Sequence, residues 1–135
     1  MAIELRLDRT AALAQTVHIG KHELVADVSE AEGGGDTGPS PHDLYDAALG
    51  ACKALTVMWY ARKKGIPVDD IQTRVERDAA DERKGVYRLT TTLKVHGALS
   101  DAQLKELETV ARKCPVHKLM TTVATEITTR MERLP

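Results

Sequence analysis

Two cysteines carry the chemistry that the residue types of this chain allow. Cys52 lies in an alanine-rich apolar stretch, and Cys114 stands directly before Pro115. A thiolate that attacks the O–O bond of a peroxide becomes a sulfenic acid, and a second thiol resolves that sulfenic acid as a disulfide. Two thiols in one small chain therefore predict a redox-active pair.

Each cysteine also has an interpretation without chemistry. Cys114 stands where Pro115 predicts the start of a helix, and the free backbone N–H groups of a helix start lower the pKa of a thiol. The alternative is that Cys114 is only a small capping residue. Cys52 lies in the middle of a predicted helix, where burial disfavours the thiolate, and a lone cysteine in such a place more often serves only for packing.

Two histidines stand near these positions in the sequence. His42 is a candidate general base or counter-charge for the thiolate, and the alternative is a solvated histidine in the first turn of a helix. His117 follows Cys114 with metal-ligand spacing, and Cys52 could add a third ligand. Two cysteines and one histidine do not close a structural zinc site, so we predict neither a metal nor a cofactor.

A long central helix is predicted to hold Cys52. Ser40 can cap this helix, Pro41 suits its first position, and Asp43 can complete a capping box. Gly65 and Pro67 predict its end, which gives a length of ~24 residues. Apolar residues cover much of its circumference, which indicates a buried helix. Gly50 in its middle predicts the close approach of another backbone, and the expected partner is a helix of this chain or of a second subunit.

Strands flank the long helix on both sides in the sequence. Alternating apolar residues predict a strand with one buried face around residues 3–7, and two further strands around 17–19 and 24–26 joined by a tight turn at Gly20-Lys21. Further strands are predicted at 71–77 and 87–95. The remaining predicted elements are a helix opened by a capping box at Ser100, a short helix from Pro115, and a last strand at 123–131. This order predicts one α+β domain over residues 1–135, with antiparallel sheets wrapped around the long helix.

The charge and hydrophobicity of the chain exclude some classes of binding partner. The chain has 135 residues, with 19 basic and 20 acidic side chains mixed along its length, so neither nucleic acid nor an anionic membrane is an expected partner. No apolar run approaches the ~20 residues that span a bilayer. The first residues alternate charged and aliphatic side chains, which is not the pattern of a secretory signal. We therefore expect a cytoplasmic protein whose cysteines remain reduced.

The motifs around both cysteines resemble those of a known family. The segment Gly38-Pro39-Ser40-Pro41-His42-Asp43-Leu44 leads to Ala47-Ala48-Leu49-Gly50-Ala51-Cys52, and Cys114-Pro115-Val116 follows much later. This combination resembles the OsmC/Ohr family of osmotically inducible and organic hydroperoxide resistance proteins. The resemblance implies an OsmC-like fold built as an intertwined homodimer, with active sites at the subunit interface.

The resemblance also implies an activity and its residues. It implies a cysteine-based peroxidase in which Cys52 attacks an organic hydroperoxide, Cys114 resolves the sulfenic acid, and a dithiol such as a lipoylated protein restores both thiols. One branch of the family has a glutamate ten residues before the first cysteine; here His42 and Asp43 stand at and beside that position, and both are candidate catalytic residues. The alternative is a family member with weak turnover that binds a small hydrophobic ligand or a metal at the dimer interface.

Overall fold

The secondary structure is mixed α and β. A computed structural model describes residues 1–135 of the chain. Its elements are β1 (Ile3–Leu7), β2 (Gln15–Ile19), β3 (His22–Ala26), α1 (Pro41–Lys64), β4 (Asp70–Asp78), β5 (Arg88–His96), α2 (Asp101–Arg112) and α3 (Pro115–Thr121). Strands β1, β2 and β3 form one antiparallel sheet, and β4 pairs with β5 in a second. The predicted α+β class is confirmed.

The chain divides into two compact units that alternate along the sequence. The first unit contains residues 1–48 and 77–89, and the second contains residues 49–76 and 90–135. The division falls within α1, between Ala48 and Leu49. The single domain over residues 1–135 stays a prediction.

The sheet of the first unit is a three-stranded meander. Ile3 pairs with Ile19, and Ile19 pairs with His22 across the two-residue turn Gly20-Lys21. Gly20 has a φ of 59°, a left-handed conformation that glycine adopts without steric cost, so the predicted turn is confirmed. Both faces of β1 are exposed in this chain, including its apolar residues. The buried face predicted for this strand is therefore wrong for the single chain.

Asp27 organises the glycine-rich loop of the first unit. Its buried carboxylate accepts hydrogen bonds from the Thr37 hydroxyl at 2.7 Å, and from the backbone amides of Thr37 at 3.1 Å, Val28 at 2.8 Å and Gly35 at 3.2 Å. These bonds, led by the Thr37 hydroxyl, lower the pKa of Asp27 to about 2. The carboxylate therefore supplies the contacts that the side-chain-free glycines cannot make.

The two ends of α1 follow the local signals. Ser40 Oγ accepts from the Asp43 amide at 3.1 Å, and Asp43 Oδ2 accepts from the Ser40 amide at 3.0 Å, so the predicted capping box is present. After Lys64 the chain turns at Gly65, whose φ of 70° ends the helix. The 24-residue α1 agrees with its predicted length. Neither α1 nor the shorter helices combine the length and apolarity needed to cross a membrane.

The core of the second unit forms where α1 and α2 pack together. Val57 and Ala61 of α1 lie against Leu107 and Ala111 of α2, and Ile66 completes this buried cluster. Partly buried residues from β4 and β5, including Ile71 and Leu93, pack around it. This core holds the Cys52 half of α1 against the last turn of α2.

The neighbour of Gly50 is a strand. A Cβ built on Gly50 would lie 2.7 Å from Val75 Cγ2 and 3.6 Å from Thr73 Cγ2, both on β4. The close approach predicted at Gly50 is therefore present, but the partner within this chain is strand β4 and not a helix; a helix from a second subunit stays a prediction. Side chains at alternate positions of a strand can reach into the gap that a helical glycine leaves.

The strand predicted at residues 123–131 was wrong for this chain. No regular structure follows Thr121 beyond a turn, and Ile127 is 82 % exposed. Alternating apolar residues stabilise a strand only when a neighbouring strand supplies hydrogen bonds and covers one face. No segment of this chain pairs with residues 123–131, so the alternation alone does not produce a strand.

Candidate thiol site

The structure brings Cys52 and Cys114 together in the second unit. Cys52 projects from α1 and is partly buried, whereas Cys114 is the N-cap of α3 and is 0 % exposed. Both are free thiols, and Cys52 lies close enough to affect the ionisation of Cys114. Two residues that are far apart in the sequence therefore meet because α1 packs against α2 directly before the start of α3.

Burial dominates the electrostatics of Cys114. Removal from water raises the pKa of its thiol, and the neighbouring Cys52 acts in the same direction. The backbone N–H of His117 and the charge of Lys53 oppose this increase without outweighing it. The net pKa decrease expected from the helix start was therefore wrong, because the burial of Cys114 outweighs the contribution of the His117 amide.

Thr56 is the polar neighbour of Cys52 on the same helix. Its Oγ1 lies 4.0 Å from Cys52 Sγ, and the two residues are four positions apart, so they are adjacent on one face of α1. A hydroxyl in this position can donate to sulfur or accept from the thiol. Thr56 therefore belongs to the surroundings of the thiol, although the sequence analysis had not selected it.

Lys53 is a further residue that the sequence analysis missed. It is 4 % exposed, and its Nζ donates to Ala111 O at 2.8 Å and to His117 Nδ1 at 2.9 Å. These contacts place an ammonium group beside the segment that carries Cys114. A signal was present in the sequence, since Lys53 is the only charged residue between Asp46 and Arg62. A charge within such an apolar stretch must be either exposed or paired.

His117 forms a hydrogen bond with Lys53, and it does not form a metal site with the two cysteines. Lys53 Nζ lies 2.9 Å from Nδ1 of His117, and an ammonium group can only donate to that nitrogen. No group of three His, Cys, Asp or Glu side chains is arranged to hold a metal ion. The donor set therefore does not fit the three-ligand metal site considered above.

A cavity of about 360 Å³ opens beside this region of the second unit. Its wall is largely aliphatic, with Lys53 as one of its polar residues. Glu108 and Arg112 of α2 also line the cavity and form an ion pair with each other, with Arg112 Nη2 2.6 Å from Glu108 Oε1. The space is of the size and character that accept a small apolar molecule.

His42 and Asp43 make their contacts within the first unit. His42 Nε2 lies 3.0 Å from Glu82 Oε1, and Asp43 Oδ1 accepts from Arg77 Nη2 at 2.7 Å. The Arg77 hydrogen bond is the largest of the effects that lower the pKa of Asp43, and the Ser40 amide adds to it. The catalytic roles of His42 and Asp43 stay predictions.

Arg77 of β4 is another charged residue that the sequence analysis missed. Its Nε donates to Asp46 Oδ2 at 2.5 Å, and the Tyr87 hydroxyl donates to both oxygens of the buried Asp46 carboxylate. Hydrogen bonds to Asp43 and Asp46 raise the pKa of Arg77, so the guanidinium stays charged. The network ties β4 and the segment before β5 to the first turns of α1.

Comparisons with known proteins agree with this architecture. The family model described as OsmC-like protein matches residues 33–130. The OsmC-like protein of Mycoplasma pneumoniae has a TM-score of 0.70 at 20% identity, over 90% of this chain and 87% of that one. The organic hydroperoxide resistance protein OsmC of Legionella pneumophila has a TM-score of 0.63 at 18% identity, and the match covers 90% of this chain and 88% of that one.

A third structure is closer in sequence. The organic hydroperoxide resistance protein OhrB of Bacillus subtilis is 26% identical, with a TM-score of 0.59 and 90% of both chains covered. No curated protein matches the chain. The family match extends over most of the chain and includes both cysteines, so the chain belongs to the OsmC-like family.

Proposed function

We propose that this protein is a thiol peroxidase that reduces organic hydroperoxides through Cys52 and Cys114. The observation that carries the proposal is the meeting of two free thiols from α1 and the start of α3 within one buried region. Two of the solved relatives are named organic hydroperoxide resistance proteins, which supports this substrate class.

Exposure supports the order in which the two thiols act. A hydroperoxide must reach the attacking sulfur, and Cys52 is the more accessible of the two. The Cys52 thiolate attacks the terminal oxygen of the hydroperoxide, the O–O bond breaks, and the alkoxide leaves as the alcohol after it takes up a proton. Sulfur is oxidised to the sulfenic acid, and the peroxide is reduced.

Resolution then requires only the buried partner. Cys114 sulfur attacks Cys52 sulfur, the S–S bond forms, and the S–O bond breaks with loss of hydroxide, which becomes water by taking up the proton of the Cys114 thiol. A dithiol reductant, for which a lipoylated protein is our candidate, restores both thiols by exchange. This cycle needs a reducing compartment, so we place the protein in the cytoplasm.

Exposed apolar residues support an intertwined homodimer as the working form. In the first unit, Ile3, Leu5 and Leu7 of β1 are exposed, and in the second unit Leu55 and Trp59 of α1 are exposed. Apolar patches that a single chain leaves uncovered are typical of association surfaces. Family proteins of this type are homodimeric, in agreement with this arrangement.

Single-turnover kinetics test the proposal. Reduced wild-type protein, Cys52→Ser and Cys114→Ser are mixed with cumene hydroperoxide or hydrogen peroxide, and the loss of thiol is followed by stopped flow. We expect rapid loss with the organic peroxide in the wild type, none in Cys52→Ser, and a sulfenic acid trapped by dimedone in Cys114→Ser. Circular dichroism of each variant controls for folding. Loss no faster than that of free cysteine would contradict the proposal.

The second candidate function is the binding of a small hydrophobic ligand. The aliphatic cavity of about 360 Å³ in the second unit favours it. The same kinetic experiment separates the two functions, because a binding protein need not form the Cys52–Cys114 disulfide on exposure to one equivalent of hydroperoxide.

A further inference from the structure

Lys53 is a buried cation with a defined position. It lies in the middle of the apolar part of α1, and its side chain does not extend to solvent. An ammonium group loses its hydration on burial and persists only where fixed acceptors replace the water. Ala111 O and His117 Nδ1 are these acceptors, at 2.8 Å and 2.9 Å.

The two acceptors lie on either side of Cys114. Ala111 is in the last turn of α2, where carbonyl groups lack partners within the helix, and His117 is in the first turn of α3. Each acceptor is three positions from Cys114, in opposite directions along the chain. The Lys53 ammonium therefore bridges the junction between α2 and α3, and Cys114 is at the centre of that junction.

We propose that Lys53 is the positioning residue of the resolving thiol, holding the α2–α3 junction and supplying the positive charge that stabilises the Cys114 thiolate as it attacks the Cys52 sulfenic acid. This role rests on the peroxidase function proposed above. In the step that Lys53 assists, Cys114 sulfur forms the S–S bond, and the hydroxide that leaves Cys52 takes up the proton given up by Cys114.

The charges around the junction support this assignment. Burial raises the pKa of Cys114, and the Lys53 charge and the His117 amide act against that increase. Glu108 and Arg112 of α2 line the cavity beside Lys53, but their opposite charges are paired with each other. Strand β5 contributes only uncharged residues to the cavity wall, namely Thr91, Thr92, Leu93 and Val95. Lys53 is thus the one unopposed cation among these groups.

A thiolate titration tests the charge without using any peroxide. In the Cys52→Ser background Cys114 is the only thiol, and its ionisation is followed by ultraviolet thiolate absorbance as the pH is raised. We expect Lys53→Met to decrease the thiolate fraction about tenfold at a pH below the midpoint. Lys53→Arg should keep it within about twofold, because the charge is retained. Lys63→Met, at an exposed lysine of the same helix, is the matched control.

The outcomes separate this inference from the peroxidase proposal. If Lys53→Met titrates like Lys63→Met, the role of Lys53 is overturned whether or not the protein reduces peroxides. If Lys53→Met does not fold, Lys53→Gln is used in the same titration, because its amide can still donate to Ala111 O but carries no charge. Lys53→Gln should show the same decrease, and a titration equal to that of the parent overturns the assignment.

A single-turnover measurement then locates the effect within the reaction. With one equivalent of cumene hydroperoxide, Lys53→Met should form the Cys52 sulfenic acid at a rate within about twofold of the wild type. Disulfide formation should slow about tenfold, in proportion to the smaller thiolate fraction of Cys114. Equal slowing of both steps would indicate a general structural defect and would overturn the specific role in resolution.

Discussion

Replacement of Gly50 by alanine tests the close contact between α1 and β4. The added Cβ would lie 2.7 Å from Val75 Cγ2, whereas carbon atoms in contact prefer about 3.5–4.0 Å. Either Val75 leaves its rotamer or the helix and strand separate locally by about 1 Å. The neighbouring Thr73 Cγ2, at 3.6 Å, already occupies ordinary contact distance and leaves little room for a lateral shift.

Two opposing effects determine the size of the change in stability. Added volume in a packed interior typically costs about 1–3 kcal/mol in the free energy of unfolding. Alanine in the middle of a helix gains about 1 kcal/mol over glycine. We therefore expect Gly50→Ala to lower the free energy of unfolding by about 1 kcal/mol, despite the better helix propensity of alanine.

A double-mutant cycle identifies the cause. Urea unfolding is followed by circular dichroism at one protein concentration for the wild type, Gly50→Ala, Val75→Ala and the double variant. Val75→Ala removes Cγ2, so Gly50→Ala in that background should increase stability by about 1 kcal/mol. The expected coupling between the two sites is thus about 2 kcal/mol. The reasoning is refuted if Gly50→Ala stabilises the protein equally in both backgrounds.

Two further predictions concern the two units separately. Leu107→Ala should lower the free energy of unfolding by about 3 kcal/mol in urea titrations, because Leu107 is 3 % exposed in the core. Leu104→Ala, on the same helix at a 50 % exposed position, is the control, and equal losses in both variants would contradict the assigned core. The lowered pKa of Asp27, about 2, predicts that its stabilising contribution is present above the unfolded value of ~3.9 and is lost as the pH falls from about 4 to 2. Asp27→Asn should lack this part of the pH dependence. If the free energy of unfolding falls with pH in parallel for the variant and the wild type, the role assigned to Asp27 is contradicted.

Local signals predicted most of the elements. The capping boxes at Ser40 and Ser100 are present, and the turn at Gly20 has the left-handed conformation expected of it. Each of these features depends on hydrogen bonds or dihedral angles within about four residues, so the surrounding fold has little influence on it. Strands β4 and β5 were predicted within one residue at each end, because exposed and partly buried residues alternate regularly along both of them.

Predictions that depended on remote segments were less successful. Residues 123–131 have the alternation of a strand, but pairing requires a free edge in register, and no such pair forms in this chain. The apolar residues of β1 are likewise exposed, although their alternation implied that one face of the strand is buried. At Gly50, the absence of a side chain predicted a close neighbour correctly, but glycine does not specify whether that neighbour is a helix or a strand.

The sequence by itself determined most of the elements, the family motifs and the two thiols available for chemistry. Only the tertiary structure decided that Cys114 is fully buried while Cys52 stays partly accessible, and that Lys53 bridges the helix junction around Cys114. It also decided that Arg77 pairs with Asp43 and Asp46. Burial and electrostatic interaction depend on distances between segments far apart in the chain, and those distances are set only when helices and strands pack.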